Sequence, residues 1–187
     1  MRSTATFIIG TLVCSLIAGA PSASADPPSP LYTLVDTAAA RLQTADPVAQ
    51  FKWVKGGPIE DAPRAQQVLG AVATDAKSHG IDPEPVRTAF ADQIRATEGI
   101  EYARFGQWKL DPAIAPTTAP ELSASRTAID GYNHTMVGEL ALQQDMLHSP
   151  DCLISLEQAT SAVVADRAFD PLYREALTLA TRSYCGP

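Results

Sequence analysis

The chain of 187 residues carries 14 Lys and Arg against 21 Asp and Glu, a net charge of −7 with His neutral. That balance is opposite to what a nucleic-acid-binding surface needs, and it gives no long-range attraction for small anions. With the first 25 residues set aside, the length suits one domain with one sizeable core.

Those 25 residues have the pattern of a secretory signal. Arg2 precedes an apolar run of 12 residues, Phe7 to Ala18, too short to span a bilayer. Ala23-Ser24-Ala25 is a small-residue cleavage site, so cleavage is expected before Asp26 and the domain is expected over 26–187. Cys14 follows Val13 rather than the small residue a lipid-anchor site needs. No later stretch reads as a transmembrane helix. The expectation is a secreted or periplasmic protein with no membrane partner after signal cleavage. Residues 26–187 hold 13 basic against 21 acidic side chains, net −8. They also hold two cysteines, Cys152 and Cys185. In an oxidising compartment a disulfide is the default, closing roughly 33 residues and contributing about 3.5–4 kcal/mol in the chain-entropy model.

Residues 26–30 (DPPSP) form a proline-rich leader with no reason for order. Leu31 to Thr44 reads as a helix with Leu34, Val35, Ala38 and Leu42 on its apolar side. Asp46-Pro47 is expected to break it and restart a short helix, Val48 to Lys55. Gly56-Gly57-Pro58 is a turn. A third helix is expected from Asp61 or Pro63 to Ser78, closed by His79-Gly80.

The longest element is predicted over Asp82 to Lys109, with Asp82 as N-cap and Pro83 at the first helical position. Val86, Phe90, Ile94, Ile100 and Trp108 mark its buried face. Thr97 and Glu101 sit on the edge of that face, one turn apart. A carboxylate on the wall of a core is costly unless something uses it. Residues 110–121 form a proline-rich loop. A fifth helix is expected from Ser123 to about His148, a sixth from Ser149-Pro150-Asp151 to about Ala165, and a seventh from Asp170-Pro171 to about Tyr184. No stretch shows the alternation of a sheet. The fold class is therefore all-α, a single-domain bundle of about six or seven helices with one disulfide.

Four cations stand where apolar residues are expected. Arg41 is in register with Leu34 and Ala38. Arg64 precedes Val68 and Val72 by four and eight residues. Arg126 lies between Leu122 and Ile129. Lys52 lies between Phe51 and Trp53. Any one of them alone fits a snorkelling side chain. Four together, with Thr97 and Glu101, point to a ligand carrying two or more negative groups. Spacing alone does not show that they converge.

The segments ADPVAQFKW (45–53), PIEDAPR (58–64), DQIRATEGIEYARFGQWKLDPA (92–113), LSASRTAID (122–130) and SYC (183–185) resemble the secreted, all-helical chorismate mutases. These are the exported gamma subclass of the AroQ type, including the mycobacterial exported forms. The resemblance covers essentially all of residues 26–187. It implies a chorismate mutase type II-like fold and an isomerase that rearranges chorismate to prephenate, a step of phenylalanine and tyrosine biosynthesis. It implies no metal and no cofactor, and a homodimer with each active site inside one chain.

By position, the resemblance makes Arg41 a carboxylate binder and Lys52 the donor to the ether oxygen. Asp61 helps hold the hydroxyl region, and Arg64 lies near the ring carboxylate. Thr97 and Glu101 are the pair on the long helix, Glu101 facing the ether oxygen. Arg126 enters after the proline-rich loop. The catalytic set is thus Lys52, Glu101 and Arg126. Two positions depart from the family: Val68 replaces a glutamine of close relatives, and Ala65 replaces a glutamate of cytoplasmic ones.

His79, His134 and His148 show no metal spacing and read as cap or surface residues. Asn133-His134-Thr135 matches a glycosylation sequon in mid-helix. Trp53 and Trp108 read as core. The rival reading is a non-catalytic exported bundle, either an inhibitor or a small-anion binding protein, which would not require the four cations to converge.

Overall fold

The computed structural model describes residues 29–186. The signal expected over 1–25 and Cys14 lie outside them. Among the described residues the elements are α1 (Tyr32–Gln43), α2 (Ala45–Lys55), α3 (Ala62–Ser78), α4 (Pro83–Leu110), α5 (Leu122–Leu142), α6 (Gln144–Leu147), α7 (Cys152–Asp166) and α8 (Pro171–Thr181), with no strand. The all-α expectation holds, with seven substantial helices and the single turn α6.

Helix starts follow their capping residues. Asp61, Asp82 and Asp170 each accept a backbone N–H from the first turn of α3, α4 and α8, and each is followed by proline at the first or second helical position. The end of α3 is a Schellman turn. Gly80 adopts φ 74°, and the N–H groups of Gly80 and Ile81 donate to the carbonyls of Lys77 and Ala76.

Three local expectations differ from the structure. Pro47 does not break a helix; it sits in the first turn of α2, where the missing N–H costs little. The bend lies earlier, at Thr44, whose hydroxyl donates to the Arg41 carbonyl at 2.7 Å. The helix expected to run on to His148 is interrupted at Gln143, φ −97° and ψ 12°, without glycine or proline to announce it. The leader is docked at its end, where the Ser29 hydroxyl donates to the Ser155 carbonyl at 2.7 Å.

Helix α4 is the axis of the bundle, packing against α8, α3 and α2. Helix α1 packs against α5, α7 and α8, and α5 closes the remaining side against α3 and α2. Phe90, Ile100, Leu34, Leu42, Met136 and Leu177 are fully buried between these helices. Cys152 at the start of α7 and Cys185 beyond α8 form the expected disulfide, with Cα atoms 5.7 Å apart. Trp53 and Trp108 stack edge to face at 5.5 Å; Trp108 is buried, as expected of a core residue, and Trp53 only half-buried.

Candidate active site

A cavity of about 100 Å³ opens between α1, α2, α3, α4 and α5, and Arg41, Lys52, Asp61, Arg64, Thr97 and Glu101 all line it. Six of the seven expected site residues therefore meet in one place. Arg126 does not line that cavity. It is exposed on the second turn of α5 and lines an adjoining cleft of about 250 Å³, which shares Val48, Lys52, Asp61, Arg64 and Ile129 with the cavity.

Arg41 is 4 % exposed. Its Nε donates to Asn133 Oδ1 at 2.7 Å, and its Nη1 to Gln93 Oε1 and Thr97 Oγ1, each at 3.4 Å. All three partners are neutral. Among the described residues no carboxylate lies within ion-pairing distance of this guanidinium, and its Nη2 donates to no protein group. Burial pulls its pKa down to about 10, so it keeps its charge at neutral pH. A buried cation without a counter-charge is expensive, and a carboxylate ligand would relieve that cost.

Lys52 is held from two sides. Its Nζ donates to Glu101 Oε2 and to the Ile59 carbonyl, both at 2.8 Å. The turn that delivers Ile59 needs its glycines: Gly56 and Gly57 have φ 86° and 121°, where a side chain would be strained. The Glu101 side chain is 3 % exposed. Burial raises its pKa to about 6 although Lys52 pulls the other way. The pair thus places a carboxyl group of near-neutral pKa against the Lys52 ammonium.

The remaining expected residues are less confined. Asp61 Oδ1 is occupied as the N-cap of α3, accepting from the Arg64 N–H at 3.1 Å. Arg64 is turned toward protein acceptors, Asp130 Oδ1 and Gln67 Oε1, each at 2.8 Å.

Two buried amides were not anticipated. Gln93 falls four residues before Thr97 and eight before Glu101, so a three-step polar stripe on α4 was present in the spacing. Asn133 had matched only a sequon; its buried side chain instead orients Arg41. Glu98 also lines the cavity half-buried, its pKa raised by burial and by Glu60.

The model of the chorismate mutase type II family matches residues 33–102, which supply Arg41 through Glu101. Over 167 residues the chain is 56% identical to the secreted chorismate mutase of Mycolicibacterium smegmatis, covering 89% of this chain and 92% of that protein. The chain belongs to the chorismate mutase family. It is also 51% identical over 179 residues to the secreted chorismate mutase of Mycobacterium tuberculosis, covering 95% of this chain and 89% of the relative. The solved chorismate mutase of Burkholderia phymatum has the same fold, with TM-score 0.80 at 30% identity over 85% of this chain and 98% of that one.

The two departures from the mutase pattern both reach the cavity. Val68 and Ala65 line it, and Val68 is 5 % exposed, so this turn of α3 presents an apolar surface. Gln67 does not replace the missing amide, because it is exposed and bonded to Arg64.

Proposed function

We propose that this chain rearranges chorismate to prephenate within the α1–α5 cavity, by restraining the conformer of a dianion and stabilising charge on its ether oxygen. Chorismate mutase activity goes with the family membership. The observation that carries the site assignment is Arg41, a buried guanidinium with only neutral hydrogen-bond partners that lines the cavity.

The rearrangement is intramolecular, breaking one C–O bond as one C–C bond forms. The protein's task is therefore to hold a compact chair-like conformer and to meet developing charge. Arg41 grips one carboxylate bidentately, and Arg64 and Arg126 approach the other from α3 and α5. Asp61 lies beside the hydroxyl region. Thr97 steadies Arg41. Lys52 donates to the ether oxygen as the C–O bond breaks, an interaction stronger in the transition state than before it. Glu101 serves in its protonated form as a second donor.

Mixing the purified chain with chorismate tests this directly. The expected result is loss of chorismate absorbance with stoichiometric formation of prephenate. Tight binding of chorismate without turnover would instead favour the anion-binding reading.

The relatives are named as secreted, and among the described residues no helix is long and apolar enough to cross a membrane. A cleaved signal over 1–25 is the proposed route of export, checked by N-terminal sequencing of the secreted form. A homodimer is proposed as the working state. Leu142, Leu153 and Ile154, 73, 70 and 60 % exposed near α6, are large apolar side chains that a second copy would cover. Light scattering at a mass of two chains supports that state, and a mass of one contradicts it.

A further inference from the structure

Three side chains that the chain order keeps apart meet where the end of α3 faces the middle of α5. Asp75 and His79 stand one turn apart on α3 and its cap, and His134 comes from α5. Asp75 Oδ2 lies 2.9 Å from His134 Nδ1, and Asp75 Oδ1 lies 3.7 Å from His79 Nε2. One ligand atom from each residue falls within 4.8 Å of the others. A tetrahedral zinc ion with bonds of about 2.0–2.2 Å spaces its ligand atoms roughly 3.3–3.6 Å apart. The three groups therefore stand close to the spacing such an ion needs. Two imidazoles and one carboxylate are donors suited to zinc and its neighbours in the first transition row. Both histidines are exposed, which leaves the remaining coordination position to water. Chain spacing had made His79 a helix cap and His134 a surface residue, because only the fold brings α5 against α3.

We propose that Asp75, His79 and His134 form a binding site for a divalent transition-metal ion of the zinc type, which clamps α3 to α5. The ion lies outside the reaction cavity and supplies no chemistry to the rearrangement. Its place in the molecule gives it a mechanical role. Helix α3 carries Arg64 and Val68, and α5 carries Asp130 and Asn133. A cleft between the two helices runs from the Arg64–Asp130 pair to Asp75 and His134. Asn133, the neighbour of His134, is the amide that orients Arg41. The Arg64–Asp130 ion pair between these helices is solvent-exposed and weak by itself. A metal link at the other end of the cleft would fix the separation of the two helices.

Calorimetric titration of the untagged, chelator-stripped chain with zinc chloride tests the proposal. The expected result is one ion per chain at micromolar Kd. His79→Ala and His134→Ala should each weaken binding at least tenfold, and His148→Ala should leave it unchanged. At a hundredfold excess of zinc over Kd, Tm should rise by roughly 5 °C in the parent and not in His134→Ala. Helical circular dichroism confirms that each variant is folded; all three histidines are exposed, so folding is expected to survive. Absence of saturable binding tighter than about 100 µM, or binding that persists in both His79→Ala and His134→Ala, overturns the proposal.

Discussion

Arg41 and Lys52 are held at the cavity by buried or half-buried partners, whereas Arg64 is held by exposed ones and Arg126 lies in the adjoining cleft. Arg41 is fixed by Asn133, Gln93 and Thr97, and Lys52 by Glu101 and the Ile59 carbonyl. On the other side Arg64 is spent on Asp130 and Gln67, and Arg126 is exposed in the adjoining cleft. The difference separates two costs. Ordering the inner cations is met during folding, by buried amides and by an axis helix that cannot move without disturbing the core. On the proposed reading, ordering Arg126 and drawing Arg64 away from its exposed partners fall on substrate binding, at about 0.5–1.5 kcal/mol for each immobilised long side chain. On the proposed mechanism the inner wall meets the reacting bond and the outer wall serves capture.

The largest effect should come from the inner wall. Lys52→Ala removes the proposed donor to the ether oxygen and leaves Glu101 buried without its partner. A fall of about a thousandfold in kcat is expected, with the helical spectrum retained. Arg126→Ala removes an exposed side chain, so a structural role predicts nothing. If Arg126 closes on the bound dianion, kcat/KM should fall by about a hundredfold, the worth of roughly two charge-assisted hydrogen bonds. A change below threefold would confine the site to the inner wall. Arg41→Lys keeps the charge but not the planar fork that Asn133 orients. A loss of about 10–100-fold in kcat/KM is expected, and full activity would contradict bidentate capture.

How far the sequence announced all this differs between the same two walls. Asp61, Asp82 and Asp170 declared their helix starts because capping and proline at the first turn are local chemistry. Lys52 and Glu101 were legible as charges out of pattern, and only the fold could place them 2.8 Å apart. Gln93 and Asn133 were overlooked because an amide is neutral and equally at home on a surface. Their burial is a tertiary fact: Gln93 lies against α1, and Asn133 where α5 packs on α1 and α3. Arg126 shows the converse. Its position between Leu122 and Ile129 suggests an inward side chain, but Arg126 is exposed beside the buried Ser125. The kink at Gln143 had no signal of its own, since no residue there is a helix breaker.

The smallest expected effect probes the outer wall alone. Asp130→Asn weakens the protein's hold on Arg64 without touching the cavity lining. KM for chorismate should fall by no more than about threefold with kcat unchanged, in keeping with the low worth of an exposed ion pair. A large loss of kcat would mean that Asp130 positions the arginine rather than competing for it.

The central claim is that the inner wall is poised for the reaction with a proton on Glu101. Its most direct test is the pH dependence of kcat/KM for the parent and for Glu101→Gln. Burial raises the Glu101 pKa to about 6, so the protonated fraction is high below that pH and falls as pH rises through it. The account predicts that kcat/KM of the parent declines about tenfold per pH unit above about 6, and that Glu101→Gln, a permanent donor, flattens this limb. Parent activity that rises through this range, or a variant that keeps the same decline, would contradict it.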